Sequence, residues 1–185
     1  MKIINLEQNT PEWLSFRRSH IGASDAPVIM GANPYKSLKK LWRDKVLGEE
    51  EKMNSMMSWG KDQEANARIH FEISHKCAVL PQVVIHPEHE WMSASLDGLD
   101  IGQEFIVEIK CPGEKNHTLA KNGIIPSHYI PQLQHQLACT GLEDAFYYSF
   151  DGTNGVSIHL KRDDEYIKKM IDEEFKFWET ISIFN

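Results

Sequence analysis

The sequence has few cysteines, and their spacing excludes the common cysteine-based sites. Its 185 residues contain three, Cys77, Cys111 and Cys139, which are far apart and form no CxxC pair. A zinc or iron–sulfur centre is therefore not expected. The odd count and the absence of an export signal indicate reduced thiols in a cytoplasm, and we interpret all three as packing residues.

Long apolar runs and an excess of positive charge are also missing. No run approaches the roughly 20 residues that a membrane span needs, and the first ten residues lack the apolar core of a signal peptide. The chain has 20 Lys and Arg against 27 Asp and Glu, a net charge of −7. That balance is poor for general nucleic-acid binding, but it does not exclude it, because the local field matters more than the sum. Clustered carboxylates that hold cations would also lower the total charge.

The periodic segments predict one domain over residues 1–185, with 41% hydrophobic residues to form its core. We expect a helical N-terminal part, residues 1–75, and then a sheet core with a closing helix, residues 76–185. The fold class is α/β (α+β), with a central mixed sheet flanked by helices. The segments predicted as helices are 10–22, 22–30, 37–48, 58–76, about 131–141 and 164–181, and those predicted as strands are 79–87, 91–101, 104–111, 144–151 and 155–162.

The third predicted strand, FIVEIKC, carries two charges in an apolar run. Glu108 and Lys110 are two residues apart, so they project from one face of the strand, while Val107 and Ile109 face the other way. Burying either charge alone is costly unless a partner or a metal relieves it. A hairpin through residues 98–103 could return Asp97 beside Glu108. Two carboxylates and one lysine at a strand end suit Mg²⁺-assisted chemistry on phosphate.

Ordinary structural explanations exist for the same residues. Glu108 and Lys110 could form a simple ion pair, and Asp97 with Gly98 could be a turn dipeptide. However, Asp, a spacer of ten residues, and then hydrophobic-Glu-hydrophobic-Lys match the degenerate (P)D-x(n)-(D/E)-x-K signature of a large nuclease superfamily. This pattern favours a site over an accidental pair.

Four further segments occur in an order typical of one family. They are WLSFRRSHIGASDA (13–26), WGKDQEANARIHFE (59–72), SASLDGL (93–99) and YIPQLQHQLACTG (129–141). Over roughly residues 10 to 150 the chain resembles the lambda-exonuclease-like phage recombination nucleases, the viral alkaline exonuclease type of the PD-(D/E)XK superfamily. The resemblance implies a restriction-endonuclease-like core. It also implies an Mg²⁺-dependent 5′→3′ exonuclease that degrades one strand of linear double-stranded DNA from 5′-phosphorylated ends and leaves 3′ single strands.

The resemblance also implies the residues of a catalytic centre. The catalytic set is Asp97, Glu108, Lys110, Glu64 and Gln132, and the metal ligands are Asp97, Glu108, Glu64 and the carbonyl of Ile109. Mg²⁺ is the implied cofactor, with Mn²⁺ able to substitute. Without the motif, Glu64 would be an exposed helix residue paired with Arg68, and Gln132 would face solvent.

A second implied set binds the 5′-phosphate and DNA, and it consists of Arg17, Ser24, Ser95 and Tyr129. Arginine gives bidentate contacts to phosphate, and Ser24 lies near a helix start, where N–H groups attract anions. Ordinary roles are also open for these residues. Arg17 could be a solvated helix charge, with Arg18 as the alternative ligand. Ser24 could be only an N-cap, and Tyr129 could be a core residue. Leu96 stands where the family usually has proline, which brings the geometry at Asp97 into question.

Partners follow from the resemblance as well. We expect double-stranded DNA ends, a single-strand annealing protein, a homo-oligomer in the form of a trimeric ring, no membrane, and the cytoplasm of a bacterial host, with a phage or prophage origin. A restriction-like endonuclease, a catalytically silent DNA-binding module and a structural protein with a simple salt bridge stay open as alternatives.

Overall fold

The computed structural model describes residues 1–49 and 55–184. Its strands are β1 (Lys2–Ile4), β2 (Ile21–Gly22), β3 (Val79–Ile85), β4 (Met92–Asp100), β5 (Phe105–Lys110), β6 (Asp144–Phe150) and β7 (Gly155–Lys161). Its α-helices are α1 (Pro11–Ser19), α2 (Ala26–Ile29), α3 (Leu38–Leu47), α4 (Ser55–His75), α5 (Glu114–Lys121), α6 (Ile130–Thr140) and α7 (Asp164–Ser182), and a 3₁₀ turn spans Ser127–Tyr129.

The strands form one mixed sheet in the order β1-β3-β4-β5-β6-β7, with β2 paired to β4 off this path. Most neighbours are antiparallel, whereas β5–β6 and β2–β4 are parallel. Hairpins join β3 to β4 and β6 to β7, and the hairpin expected to return Asp97 beside Glu108 joins β4 to β5. Strand β5, which carries Glu108 and Lys110, lies between β4 and β6 inside the sheet. The prediction of a mixed sheet flanked by helices is therefore confirmed.

Several helices begin at a residue with a capping hydroxyl and end at a glycine. Thr10 Oγ1 accepts a hydrogen bond from the N–H of Trp13, and Ser37 caps α3 in the same way. Gly48 and Gly141 end α3 and α6 with positive φ angles of 65° and 74°, which glycine adopts without steric cost. The helix expected from about Pro131 starts one residue earlier, so the proline falls in its first turn, where it is tolerated.

Each face of the sheet is covered by its own helices. On one face, Ala67 and Phe71 of α4 pack on Val107 and Ile109 of β5. On the other, α6 and α7 cover a larger core that includes Leu96 and Ile106, with Leu133 and Leu137 from α6 and Met170 from α7. Glu108 and Lys110 alternate with Val107 and Ile109, so these two charges lie on the α6 side.

Two features of the fold differ from the prediction. The N-terminal part is not purely helical, since β1 and β2 add strands to the sheet, and the helix α5 was not predicted. Asp97 and Gly98 lie inside β4, within the predicted strand, so the alternative of a turn dipeptide does not hold, and the turn comes after Asp100. Within the described ranges, no helix combines the length and apolar character needed to cross a membrane.

Candidate active site

The register of β4 on β5 brings the two acidic motifs together. Gly98 pairs with Val107 and Leu99 with Ile106, so continuing the antiparallel register by one residue sets Asp97 opposite Glu108. Asp97 Oδ2 accepts a hydrogen bond of 2.8 Å from the backbone N–H of Ile109. A carboxylate is thereby held at the end of β5, beside the charged pair.

An irregularity in β4 sets the direction of Asp97. Between the pairs Leu80–Leu99 and Gln82–Leu96 the register shifts, with one extra residue on β4. Such bulges turn a side chain out of the regular alternation and are common near active sites. The extra residue falls between Leu96 and Leu99, the stretch that contains Asp97. Leu96, in the position of the family proline, is completely buried in the larger core and anchors the strand just before this bulge.

Gly98 is required by the close packing beside Asp97. A Cβ built on Gly98 would lie 2.6 Å from Cγ1 of Val107 and 2.7 Å from Cγ2 of Val79. Both neighbours are β-branched and stiff at χ1, so they cannot easily move aside. The glycine allows β3, β4 and β5 to approach at the point where the carboxylates meet.

The carboxylate of Glu108, only 2% exposed, is surrounded by donors. Its Oε1 lies 2.5 Å from the ammonium of Lys110 and accepts a hydrogen bond of 2.6 Å from Nε2 of Gln132. Its Oε2 accepts a hydrogen bond of 2.5 Å from Nε2 of Gln136. Charge-assisted hydrogen bonds of this kind are strong and directional. Gln132 therefore does not point to solvent, and together with Gln136, one turn further along α6, it fixes the orientation of this carboxylate.

Lys110 lies between the carboxylates and an aromatic ring. Its Nζ is 5.4 Å from the ring centroid of Tyr129, which stacks on Tyr147. Burial alone would lower the pKa of Lys110, but the charges of Glu108 and Asp97 outweigh it and raise the pKa above its ordinary value. The lysine is thus held as a cation. The 3₁₀ turn before α6 places Tyr129 near the same centre as Gln132.

The surroundings of Asp97 disfavour the ionised form of its carboxyl group. Burial raises its pKa well above the usual range, and the charges of Glu108 and Glu64 raise it further, against the opposing effects of Lys110 and of the Ile109 N–H. Carboxylates that repel one another in a desolvated place favour either a proton or a cation.

Glu64 reaches this centre through Arg68. Arg68 Nη2 binds Glu64 Oε1 at 2.7 Å, which is the i,i+4 pair expected of an ordinary helix. The same guanidinium donates from Nε to the carbonyl oxygen of Asp97 at 2.7 Å. The helix pair is therefore also a link from α4 to β4. Glu64 is close enough for its charge to act on Asp97, but its oxygen is bound to Arg68.

The donor chemistry of the centre fits Mg²⁺. Asp97, Glu108 and the carbonyl of Ile109 offer hard oxygen ligands, and Mg²⁺ needs only one or two protein carboxylates beside water and phosphate oxygens. In residues 1–49 and 55–184, no three His, Cys, Asp or Glu side chains form a ready-made metal cage. The register of β4 on β5 sets Asp97 opposite Glu108, and a dication bound there would relieve the repulsion between the two carboxylates.

Three of the four predicted phosphate- and DNA-binding residues, Arg17, Ser24 and Ser95, belong to a second, connected cluster, whereas Tyr129 lies beside Lys110. Arg17 Nη2 donates to Ser24 Oγ at 2.7 Å, and its Cζ lies 4.6 Å from the ring centroid of Trp13. Trp13 Nε1 donates to Ser95 Oγ at 2.8 Å. Ser24 is exposed and does not cap α2. Arg18, the alternative to Arg17, lies against Gly48 at the end of α3. We refer to Trp13, Arg17, Ser24 and Ser95 as the arginine cluster.

Sheet topology makes the two clusters neighbours. β2 pairs with Met92 and Ser93, and β5 pairs with Gly98 and Leu99, along the same edge of β4. Since β2 runs parallel to β4 and β5 antiparallel, their carboxyl ends point toward each other across residues 94–97. Ser95 of the arginine cluster and Asp97 are two residues apart, at most about 7 Å along an extended strand.

Sequence reasoning missed three residues of these clusters. Gln136 was not singled out, although its spacing of four from Gln132 puts both on one face of the helix. Trp13 has the same spacing from Arg17, which could have indicated the ring stacking. Arg68 was considered only as the partner of Glu64, and its bond to the Asp97 carbonyl has no local signal in the sequence.

The chain is similar to known families and proteins over most of its length. Residues 12–143 match the family described as the YqaJ-like viral recombinase domain. The chain is 33% identical over 181 residues to the uncharacterized protein YqaJ of Bacillus subtilis strain 168. The aligned part covers 94% of this chain but 57% of that relative, so the chain spans little more than half its length.

Solved structures share the fold. The alkaline exonuclease LHK-Exo of Laribacter hongkongensis superposes with a TM-score of 0.81 and 27% identity, covering 94% of this chain and 93% of that one, and one of its structures contains dAMP. A phage-related exonuclease from Haemophilus somnus 129PT has a TM-score of 0.64 over 88% and 94% of the two chains, and its 13% identity supports the fold alone. These matches confirm the resemblance to phage recombination nucleases and fit the restriction-endonuclease-like core.

Proposed function

We propose a nuclease function for this chain, which belongs to the YqaJ-like viral recombinase domain family. It would be an Mg²⁺-dependent exonuclease that degrades one strand of linear double-stranded DNA in the 5′→3′ direction from 5′-phosphorylated ends. The 3′ single strands that remain would serve phage-type recombination. The observation that carries the proposal is that an acidic centre with a lysine and a separate arginine cluster meet across one short stretch of β4.

The chemical step would take place at the acidic centre. Asp97, Glu108 and the Ile109 carbonyl would hold Mg²⁺ or Mn²⁺, with Glu64 nearby, and the ion would supply Lewis-acid stabilisation of charge on the scissile phosphate. Lys110, kept protonated by its carboxylate neighbours, would orient the attacking water and offset negative charge on the phosphate.

The remaining residues of the centre would support these groups. Gln132 and Gln136 hold both oxygens of Glu108, and residues that orient a ligating carboxylate usually matter for activity almost as much as the ligand. Tyr129 shields the lysine on one side and would contact DNA.

The arginine cluster would select the end of the strand. Arg17 offers a planar, permanently charged fork that suits a terminal phosphate, and the hydroxyls of Ser24 and Ser95 offer further donors. The short distance to Asp97 along β4 would allow a 5′-phosphate to be bound while a nearby phosphodiester lies at the acidic centre. An endonuclease has no need of an end-binding cluster, so this arrangement supports the exonuclease over the restriction-like alternative.

The direct test compares linear and covalently closed circular duplexes with Mg²⁺ and with EDTA. We expect linear DNA to be degraded only with Mg²⁺, and the circle to survive. The matched variant is Lys110→Ala, which should keep the circular dichroism spectrum and the binding of duplex in EDTA but lose cleavage. Cutting of the circle would favour an endonuclease, and full turnover by the lysine variant would refute its role.

The working assembly is part of the same proposal. A homo-oligomeric ring, trimeric in the family, would let a chain of net charge −7 retain DNA by enclosing it rather than by charge. A single-strand annealing protein would take over the 3′ strand, in the cytoplasm of a bacterial host. Light scattering with and without duplex DNA would give the number of subunits, and a monomer in both conditions would contradict the ring.

A further inference from the structure

A buried ion pair lies directly beneath the arginine cluster. Lys45 of α3 is 7% exposed and Asp25, at the start of α2, is 5% exposed. The ammonium Nζ is 2.6 Å from Asp25 Oδ2. A buried lysine on a short surface helix needs an explanation, because a pair of this kind contributes little net stability once both charges have been desolvated.

The contacts of the ammonium join two pieces of backbone. Besides Asp25, Lys45 Nζ donates to the carbonyl oxygens of Arg17 and His20, both at 2.7 Å. These carbonyls lie at the C-terminal end of α1, where the oxygens lack partners within the helix and a positive charge is favoured. Lys45 thus holds the end of the helix that carries Arg17.

Asp25 connects the same ammonium to the turn that carries Ser24. It directly follows Ser24, and its Oδ2 accepts the N–H of Gly22 at 2.8 Å, which closes the turn after β2. One ammonium group therefore connects the backbone of the helix that carries Arg17 to the turn that carries Ser24. The side chains of these two residues are themselves joined by a hydrogen bond of 2.7 Å.

We propose that Lys45, with Asp25 as its counter-ion, is the positioning residue of a 5′-phosphate site formed by Arg17 and Ser24. This inference rests on the proposed function of the arginine cluster. A direct contact from Lys45 to phosphate does not fit, because an ammonium has three protons and all three are used by Asp25, Arg17 and His20. The two charges of the pair also offset each other, so the pair adds no net charge for a ligand.

The test measures end recognition without cleavage. Fluorescence anisotropy in EDTA gives the affinity for a hairpin duplex whose single blunt end has either a 5′-phosphate or a 5′-hydroxyl. The ratio of the two affinities is the readout, because a residue that only stabilised the fold would weaken both complexes alike. Lys45→Met is the direct variant. Lys45→Met leaves the buried Asp25 carboxylate without its counter-ion, which could prevent folding. D25N/K45M is therefore the second variant, in which the asparagine oxygen can still accept the Gly22 N–H.

The control is Lys40→Met on the same helix, because Lys40 is 40% exposed and its ammonium binds Asp44 and Glu49 instead. We expect the wild-type protein and this control to prefer the phosphorylated end, and D25N/K45M to lose about tenfold of that preference, the lower range seen when a group that orients a ligand is removed.

Three results would overturn the inference. A folded D25N/K45M protein with the wild-type ratio would refute the positioning role and leave the nuclease proposal intact. A wild-type protein that does not distinguish the two ends would refute the phosphate site itself. Loss of the circular dichroism spectrum in both variants would make the pair a folding element rather than a positioning device.

Discussion

Replacing Gln136 with leucine should separate the stability of the protein from its activity. The change removes the hydrogen bond to Glu108 Oε2, and bonds to charged groups contribute about 1.5–3 kcal/mol. It also removes Gln136 Oε1, which is buried and finds no hydrogen-bond partner among the described residues. An unsatisfied buried polar atom costs about 1–3 kcal/mol. The gain offsets only part of the loss, because Glu108 Oε2 is left buried without this donor, so we expect the free energy of unfolding to fall by about 1–3 kcal/mol, as in the control below.

Activity should respond differently, because Glu108 loses the donor that fixes one of its oxygens. We expect kcat/KM on linear duplex DNA to fall about 10- to 100-fold, as for other partners that orient a ligating group. The assay is digestion of a linear duplex at several Mg²⁺ concentrations, together with thermal unfolding of the same preparations.

Gln134 supplies the matched control on the same helix. It is buried, donates to the carbonyl of Lys161 at 2.9 Å and accepts the N–H of Asp163 at 3.0 Å. Gln134→Leu should therefore lose about 1–3 kcal/mol of stability, or several degrees of Tm at roughly 2–4 °C per kcal/mol, and keep wild-type activity well below its Tm. The reasoning is refuted if Gln136→Leu proves strongly destabilised yet fully active.

Three further changes test other parts of the site. Gly98→Ala should lower the free energy of unfolding by about 1–3 kcal/mol, because its Cβ would overlap Val107, and an unchanged thermal melt would contradict this packing. Trp13→Phe keeps a ring under Arg17 but removes the donor to Ser95, so the preference for 5′-phosphate over 5′-hydroxyl ends should fall several-fold in a digestion assay while the protein stays folded. Mg²⁺ should raise the Tm of the wild-type protein, since binding to the folded state stabilises it, and should not raise that of Asp97→Asn; an equal rise in both would place the ion elsewhere.

Local signals predicted much of the fold. The helices were predicted from capping residues and glycines that end helices: Thr10 and Ser37 at the start, Gly48 and Gly141 at the end. The strand β5 was predicted from the period-two alternation around Glu108. The strands β1 and β2 could not be predicted in the same way, because two or three residues carry no measurable period and their pairing depends on β3 and β4, which are distant in the chain.

The candidate site was predictable to a similar degree. Strand alternation put Glu108 and Lys110 on one face, and family motifs added the other residues. The bulge that directs Asp97 and the link from Arg68 to its carbonyl depend on how three strands and α4 pack together. Such tertiary contacts leave no local pattern in the sequence, so the predicted strand over residues 91–101 gave the position of Asp97 but not the direction of its side chain.

The most direct measurement uses a linear duplex phosphorylated at one 5′ end only, with each strand labelled separately and Mg²⁺ present. The account predicts that the 5′-phosphorylated strand disappears first and that its partner remains as a single strand with a 3′ end. Loss of both strands at equal rates, or earlier loss of the strand with the 5′-hydroxyl, would contradict the assignment of a 5′-phosphate-directed exonuclease.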